Sequence, residues 1–343
     1  MSSKQRIKAA LAHRRPLVDD ALAEAVPVVP PEELYGASRH LLDAGGKRLR
    51  PTMLLLAAES LADVDGSSLD ADSYRSFPDV DGNPVDVMAA AVSIEIVQSF
   101  TLIHDDIMDD DDMRRGVPAV HRAYDDSMAI LAGDTLYARA FELLLGTGTS
   151  AERTVQALST LAQTCTEICE GQAFDISFET KESVSVDEYL DMVEMKTAVL
   201  FSAAVSLPAV LLGYDEAIDP LSEYGRDVGR AFQIHDDLLD LTTPTEKLGK
   251  RRGSDLIEGK QTLVTVHARE QGIDVDELVG DNPTEAEIDD AVSTLEAAGS
   301  LGYARETADE LVLRGTNHLE VLPENESHQL LVDIAEFLVA REY

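Results

Sequence analysis

Apolar residues recur three and four positions apart along most of the chain, which is the spacing of one face of an α-helix. The clearest examples span residues 87–109, 187–212 and 221–241. No stretch shows the strict apolar–polar alternation of a half-buried strand, and no β-α-β rhythm is present. The pattern predicts an all-α fold of ten or more helices, with residues 1–343 forming a single domain.

Prolines, glycines and polar runs divide this pattern into segments. Residues 1–26 are amphipathic, the prolines at 27, 30 and 31 interrupt them, and the helical spacing resumes at 32–42. Residues 62–86 are rich in Asp, Gly and Ser, and we expect them to form a polar, acidic insertion at the surface. Further helices are predicted over 51–61, 128–145 and 150–178 and within 275–343.

The chain is strongly acidic, with a net charge of −37 from 65 acidic and 28 basic residues. This charge argues against a nucleic-acid partner and is typical of a surface adapted to concentrated salt. Only eight lysines occur, and four of them lie in candidate motifs: Lys47, Lys196, Lys250 and Lys260.

Two further features bear on cellular location. No run of eighteen apolar residues is present, and the first residues lack a hydrophobic signal region, so we expect a cytoplasmic protein without a transmembrane segment. Cys165 and Cys169 lie one helical turn apart, a spacing that suits two small buried side chains. Two cysteines provide neither a disulfide framework nor a zinc site.

The first chemically distinctive stretch is Leu102–Gly116, which follows an apolar lead. On a helix Asp105 and Asp109 lie one turn apart, about 6 Å along the axis, with Asp106 beside them. Carboxylates at this spacing repel one another but suit Mg²⁺, which shares its ligand positions with water and substrate phosphates. Arg114 and Arg115 follow immediately and are suited to phosphate. The stretch predicts a helix end that binds a diphosphate.

The same frame occurs a second time. Ile-His-Asp-Asp-x-x-Asp is found at 103–109 and again at 234–240, where it contains Asp236, Asp237 and Asp240. A single acidic helix in such a chain would most simply be a solvated face, but a repeated frame with apolar leads indicates metal binding. Six carboxylates on two helices could bind a polyphosphate through bridging Mg²⁺ ions.

Three basic stretches complete the candidate site. Gly45–Pro51 combines two glycines with Lys47, Arg48 and Arg50, which favours an anion site over a simple basic helix cap. Lys196 and Thr197 lie among apolar neighbours, where an uncompensated lysine would be costly. Residues 249–256 form a basic loop bounded by glycines, and Lys260 follows it.

These motifs, in this order, resemble those of the trans-isoprenyl diphosphate synthases, from Gly45 through Lys260. The resemblance implies the all-α isoprenoid-synthase bundle around a deep central cavity, and a homodimer. It implies an enzyme that condenses isopentenyl diphosphate with dimethylallyl, geranyl or farnesyl diphosphate. About three Mg²⁺ ions would serve each active site, and Mn²⁺ would substitute for them.

The resemblance also assigns roles to individual residues. The metal ligands would be Asp105, Asp106, Asp109, Asp236, Asp237 and Asp240, with Asp255 behind them. The allylic substrate would be bound by Arg114, Lys196, Thr197, Gln233 and Lys250, with Lys260 near the leaving group. Isopentenyl diphosphate would be bound by Gly46, Lys47, Arg50, Gln98 and Arg115. Gln98 stands where many relatives have His, and Arg251 and Arg252 replace smaller residues in the basic loop.

Product length depends in this family on the residues just before the first aspartate motif. Here these are Phe100 and Thr101, five and four positions before Asp105. One aromatic residue followed by a small one resembles archaeal-type geranylgeranyl diphosphate synthases. We therefore expect geranylgeranyl diphosphate as the main product, with farnesyl diphosphate also released.

Three other functions share part of this pattern. A terpene cyclase would usually carry a mixed Asn/Ser/Glu second motif and would not need the Gly45–Pro51 stretch. A non-catalytic subunit of a heteromeric synthase would typically lose aspartates from one motif. A His-Asp phosphohydrolase would need a more His-rich metal set than this chain offers.

Overall fold

The computed structural model describes residues 2–178, 180–181, 183–244, 251–280 and 282–340, and its elements are overwhelmingly helical. The all-α prediction is confirmed. In chain order the helices are α1 (Ser3–Ala25), α2 (Glu32–Asp43), α3 (Leu49–Leu61), α4 (Ala71–Arg75), α5 (Val87–Met108), α6 (Val120–Ala123), α7 (Asp126–Leu145), α8 (Ala151–Phe178), α9 (Val186–Val193), α10 (Val199–Leu212), α11 (Ile218–Thr242), α12 (Ser254–Ile257), α13 (Leu263–Glu270), α14 (Glu285–Ala297), α15 (Ser300–Asn317) and α16 (Glu326–Val339).

Two antiparallel pairs of two-residue strands lie in the loops. β1 (Phe77–Pro78) pairs with β2 (Pro84–Val85), with Phe77 opposite Val85. β3 (Met113–Arg114) pairs with β4 (Val117–Pro118), with Arg114 opposite Val117. The second pair forms a tight hairpin directly after the first aspartate motif, and it fixes the direction of the two arginines there.

The helices form two compact units, each drawn from three stretches of the chain. Unit 1 comprises Met1–Cys165, Ala203–Ser222 and Val321–Asp333, and unit 2 comprises Thr166–Ser202, Glu223–Glu320 and Ile334–Tyr343. The expectation that residues 1–343 form one domain therefore stays a prediction.

Helix α5 lies in the core of unit 1 and carries the first motif at its C-terminal end. It is apolar on nearly all sides until its last turns, and it packs against α3 and α7. Asp86 caps its N-terminus by accepting a hydrogen bond from the Ala89 amide at 2.8 Å. Helix α3 is buried from Pro51 to Leu61, so a rigid apolar layer supports the helix end that bears the carboxylates.

The acidic insertion at 62–86 is ordered and partly buried in unit 1. Tyr74 and Phe77 are 0% and 2% exposed, and the Tyr74 hydroxyl donates to Glu59 Oε1 at 2.6 Å. Buried Glu59 also accepts hydrogen bonds from Arg14 and Ser327. A buried polar cluster thus anchors the insertion, although most of its acidic side chains face solvent.

The helix predicted over 187–212 is interrupted near its N-terminal end. It begins at Val186, one residue earlier than expected, because Ser185 caps it in a capping box with Glu188. Residues Glu194–Ala198 form a π-helical turn between α9 and α10. The apolar spacing did not reveal this turn.

Two helical stretches have the length and apolarity of a membrane span. They are Val87–Met108 and Val186–Leu212. Most of the apolar part of each stretch is buried inside the protein, and core helices can have the same length and composition. Length and composition alone therefore do not make them membrane spans, and the absence of a transmembrane segment stays a prediction.

Candidate active site

The first aspartate motif ends α5, and its carboxylates have different surroundings. Asp105 is half-buried and Asp109 is exposed, whereas the Asp106 side chain is 0% exposed. Asp106 Oδ1 accepts a hydrogen bond from Arg114 Nε at 2.6 Å, and Arg114 also pairs with Asp111 at 2.8 Å. Burial raises the pKa of Asp106, and the Arg114 guanidinium opposes that shift. Asp106 therefore orients Arg114.

The other arginine of the hairpin contacts the glycine-rich turn. Arg115 has φ +53° and donates from Nη1 to Gly45 O at 2.7 Å. A Cβ on Gly46 would lie 3.3 Å from the Arg115 guanidinium carbon, so glycine permits this approach. Two residues predicted for the isopentenyl diphosphate site, Gly46 and Arg115, thus meet in unit 1, and Lys47 and Arg50 follow Gly46 closely in the chain.

Glu95 links these basic groups and was not singled out from the sequence. It is buried in α5 and accepts hydrogen bonds from Arg48 Nη1 at 2.5 Å and Arg115 Nη2 at 3.3 Å. Arg48 also donates to Asp19 Oδ1 at 2.7 Å and Leu42 O at 2.7 Å. Arg48 is therefore committed to holding the turn, while Lys47 is exposed and Arg50 half-buried. Gln98 follows Glu95 by three residues on α5 and is half-buried.

The carboxylates of the second motif are also distinct. Asp236 is half-buried, but Asp237 accepts hydrogen bonds from the Tyr189 hydroxyl at 2.6 Å and Gln233 Nε2 at 2.9 Å. Burial, followed by the negative charge of Asp255, raises the pKa of Asp237 well above its ordinary value. A bound cation would favour the ionised form of this group.

Asp240 organises the turn that follows the motif. Its Oδ1 accepts from Ser254 Oγ at 2.8 Å and its Oδ2 from the Asp255 amide at 3.1 Å. This turn places Asp255 near Asp237. Lys260 Nζ lies 3.2 Å from Glu258 and 3.7 Å from Asp255.

Three residues predicted for the allylic site, Lys196, Thr197 and Gln233, lie at or beside the π turn of unit 2. Lys196 forms an ion pair with Asp175, and Thr197 Oγ1 donates to Gln233 Oε1 at 3.0 Å. Gln172, one α8 turn before Asp175, is 6% exposed and neither its side-chain oxygen nor its nitrogen has a hydrogen-bond partner within the described ranges. Lys250 lies outside the described residues.

Arg251 and Arg252 contact segments that lie both before and after them in the chain. Arg251 Nη2 donates to Pro283 O at 2.5 Å. Arg252 Nε donates to Leu241 O at 2.6 Å, and its Nη1 lies 2.6 Å from Asp289 Oδ1 on α14. These contacts give both arginines a structural role beside Asp240.

The predicted chain-length residues lie five and four positions before Asp105, a little more than one helical turn away. Phe100 is 7% exposed, and its ring lies edge-on to Tyr137 on α7 at 5.3 Å between centroids. It also contacts the His104 ring at 5.9 Å. Thr101 is half-buried and donates to Gln98 O at 3.0 Å.

The carboxylates fit a hard divalent cation. Asp106 Oδ2 is buried and accepts no hydrogen bond from any described residue, and Asp237 is buried beside two other aspartates. Within the described ranges no three His, Cys, Asp or Glu side chains are grouped so that they could hold a metal ion by themselves. Mg²⁺ does not require such a cage, because water and substrate phosphates supply its remaining ligands.

Comparison with known proteins agrees with this chemistry. Residues 31–295 match the family model described as polyprenyl synthetase. The chain is 64% identical to a geranylfarnesyl diphosphate synthase of Natronomonas pharaonis, with 100% of both chains covered.

Two solved structures extend the comparison to the fold. The geranylgeranyl pyrophosphate synthetase of Geoglobus acetivorans has TM-score 0.86 and 44% identity, covering 96% of this chain and 99% of that one. A polyprenyl synthase of Caulobacter crescentus, complexed with calcium and isoprenyl diphosphate, has TM-score 0.80 and 30% identity, covering 100% and 98%. Sequence and structure together show that this chain belongs to the polyprenyl synthetase family.

Proposed function

We propose that the protein is a Mg²⁺-dependent prenyltransferase that extends allylic diphosphates with isopentenyl diphosphate. The observation that carries the proposal is the presence of all six aspartates of the two motifs in a chain of the polyprenyl synthetase family. A terpene cyclase or a non-catalytic partner subunit would be expected to lack part of this set. The calcium and isoprenyl diphosphate bound to the Caulobacter relative support a divalent cation acting with a diphosphate.

The surroundings of the carboxylates suggest a division of roles. All six aspartates would help to hold the metal ions, and Asp105, Asp109 and Asp236 would be the most accessible ligands, because they are the least buried members of their motifs. Asp106 would orient Arg114, and Asp237 and Asp240 would hold Gln233 and the turn bearing Asp255. When bound, Mg²⁺ would neutralise the diphosphate and stabilise it as a leaving group.

The reaction proceeds by ionisation, condensation and elimination. The allylic carbon–oxygen bond breaks, its electron pair leaves with the diphosphate, and Arg114, Lys196 and Lys260 stabilise the new negative charge. Lys47, Arg50, Arg115 and Gln98 hold isopentenyl diphosphate so that its double bond attacks the allylic cation. The condensed cation then loses a proton, for which the released diphosphate is the base.

The main product proposed is geranylgeranyl diphosphate, with farnesyl diphosphate as a second product. The name of the Geoglobus relative and the single aromatic residue at Phe100 support this length. Geranylfarnesyl diphosphate is a second candidate, because the Natronomonas relative at 64% identity carries that name.

The enzyme is proposed to act in the cytoplasm as a homodimer. Helix α7 supports dimerisation, since it exposes Ile130, Leu131, Tyr137 and Leu145 on neighbouring rows of one surface.

A direct assay tests the function. Purified protein in molar KCl is incubated with isopentenyl and farnesyl diphosphates and Mg²⁺, and the products are separated by chromatography and mass spectrometry. We expect a twenty-carbon diphosphate that disappears when chelator is added and returns with Mg²⁺ or Mn²⁺. Free phosphate or a cyclic hydrocarbon as the only product would refute the proposal, and a twenty-five-carbon product would favour the second candidate.

A further inference from the structure

The π turn at Glu194–Ala198 lies directly at the Lys196–Thr197 pair. The Val199 amide donates to Glu194 O, five residues back, which is the hydrogen bond that defines this wide turn. A π turn holds one residue more than an α-helical turn, and each residue turns an α-helix by about 100°. If the turn closed to α geometry, Lys196 and Thr197 would therefore point in different directions.

The first residue of the turn is held from outside by two arginines of α11. The Glu194 carboxylate pairs with both Arg226 and Arg230. The three side chains are only 22%, 25% and 21% exposed, so water screens these pairs weakly. Arg226 also lies 3.6 Å from Glu167 on α8, which ties the pair to a second helix.

Glycines on the two flanking helices allow the backbone of the π turn to approach closely. A Cβ on Gly171 of α8 would lie 2.3 Å from the Lys196 amide nitrogen, and one on Gly229 of α11 would lie 2.5 Å from the Ala198 Cα. The backbone of the turn therefore packs directly on both helices. The Glu194 pairs fix its start and these close contacts fix its middle and end.

Lys196 and Thr197, both in the π turn, contact polar side chains of the neighbouring helices. Lys196 reaches Asp175, and Thr197 donates to Gln233, which donates in turn to Asp237. None of these partners is near Lys196 or Thr197 in sequence. The contacts of Lys196 with Asp175 and of Thr197 with Gln233 therefore depend on the direction in which the turn points these two side chains.

We propose that Glu194, held by Arg226 and Arg230, is a positioning residue that keeps the π turn open and thereby aims Lys196 and Thr197 at the allylic diphosphate. The inference rests on the proposed function and adds to it a residue that touches no substrate. It predicts a selective defect, because the isopentenyl diphosphate site is built from other residues.

The test is Glu194→Gln, which keeps the size of the side chain and removes its charge. KM is measured separately for farnesyl and isopentenyl diphosphates, with kcat, in the same KCl buffer. We expect the KM for farnesyl diphosphate to rise about 10-fold, as for loss of a charged hydrogen bond, and the KM for isopentenyl diphosphate to stay within about 2-fold. Arg226→Gln should give the same selective rise, and it serves as the second variant if Glu194→Gln folds poorly.

Asp227→Asn is the matched control. Asp227 is the next residue on α11, is 1% exposed, and pairs with Arg314 on α15 instead of with the π turn. Loss of the Asp227–Arg314 ion pair should lower the melting temperature without a selective change in the KM for farnesyl diphosphate. The positioning role is overturned if Asp227→Asn produces the same selective rise in the KM for farnesyl diphosphate. It is also overturned if Glu194→Gln and Arg226→Gln are both active and leave that KM unchanged. An inactive wild-type protein would instead refute the proposed function, and the inference with it.

Discussion

Within each aspartate motif the residue type repeats but the surroundings do not. Asp106 is fully buried against Arg114, while Asp105 one residue earlier is half-buried. Asp237 bonds to Tyr189 and Gln233, while Asp236 is half-buried. Adjacent residues on a helix point about 100° apart, so one faces the supporting structure and its neighbour does not. Substitutions within a motif should therefore have different consequences.

The first prediction concerns Asp105. Asp105→Asn should lower kcat by about 1000-fold with little change in melting temperature, because a metal-binding charge is lost from a partly exposed position. Asp110→Asn is the control, since Asp110 is 83% exposed and pairs with Arg122 at the surface. Steady-state kinetics and thermal melts distinguish the two. Near-normal turnover in Asp105→Asn would contradict the metal role.

Lys47 provides a test of the second substrate site. Lys47→Ala should raise the KM for isopentenyl diphosphate about 10-fold or more, because a charged contact to phosphate is lost. Lys8→Ala removes an exposed lysine from α1 and should leave both KM values unchanged. A rise in the allylic KM instead would reverse the site assignment.

Phe100 should limit product length. Phe100→Ala removes an aromatic ring packed on Tyr137, and the product should lengthen by at least one five-carbon unit. Phe77→Ala creates a comparable cavity in the acidic insertion, where Phe77 is 2% exposed, and should destabilise the protein without changing the product. An unchanged product distribution in Phe100→Ala, by chromatography, would place the limit elsewhere.

At the scale of elements, α7 has one face that its own unit does not cover. Ile130 and Tyr137 lie seven residues apart on one row, and Leu131 and Leu145 lie on a neighbouring row. These side chains are 40–60% exposed in a chain whose surface is otherwise strongly acidic. Such an apolar face on a helix is expected at a protein interface.

Leu131→Asp tests whether this face joins two copies of the chain. A charge buried in an apolar contact is costly, so the variant should shift from dimer to monomer by light scattering at fixed KCl and protein concentration. Leu313 on α15 is 65% exposed, and Leu313→Asp should leave the molar mass measured by light scattering at that of the dimer. A monomeric wild-type protein, or a Leu131→Asp dimer, would contradict the proposal.

At the scale of the whole molecule, the excess of negative charge should control how stability depends on salt. A net charge of −37 produces self-repulsion that dilute buffer screens poorly. The melting temperature, followed by circular dichroism, should rise as KCl increases from roughly 0.1 to 3 M, because the screening length falls from about 10 Å to a few ångströms. Matched ionic strength from NaCl should act similarly, and a salt-independent melting temperature would exclude this account.

The sequence by itself determined the helical class, and it supplied the residues that we propose carry the chemistry. Helical spacing is a local property, and the repeated Ile-His-Asp-Asp-x-x-Asp frame places its carboxylates through the geometry of one helix. Helix ends were predicted less closely: the helix expected to begin at residue 187 begins at Val186, because the capping box of Ser185 with Glu188 satisfies two backbone amides.

Only the tertiary structure decided how those residues are held. Glu95 joins Arg48 and Arg115, which lie 47 and 20 residues away, and Tyr189 reaches Asp237 across 48 residues. The π turn contacts Arg226, Arg230 and the glycines of two other helices. Such partners are set by how distant segments pack, so a buried charge such as Glu95 indicates that a partner is needed without identifying it.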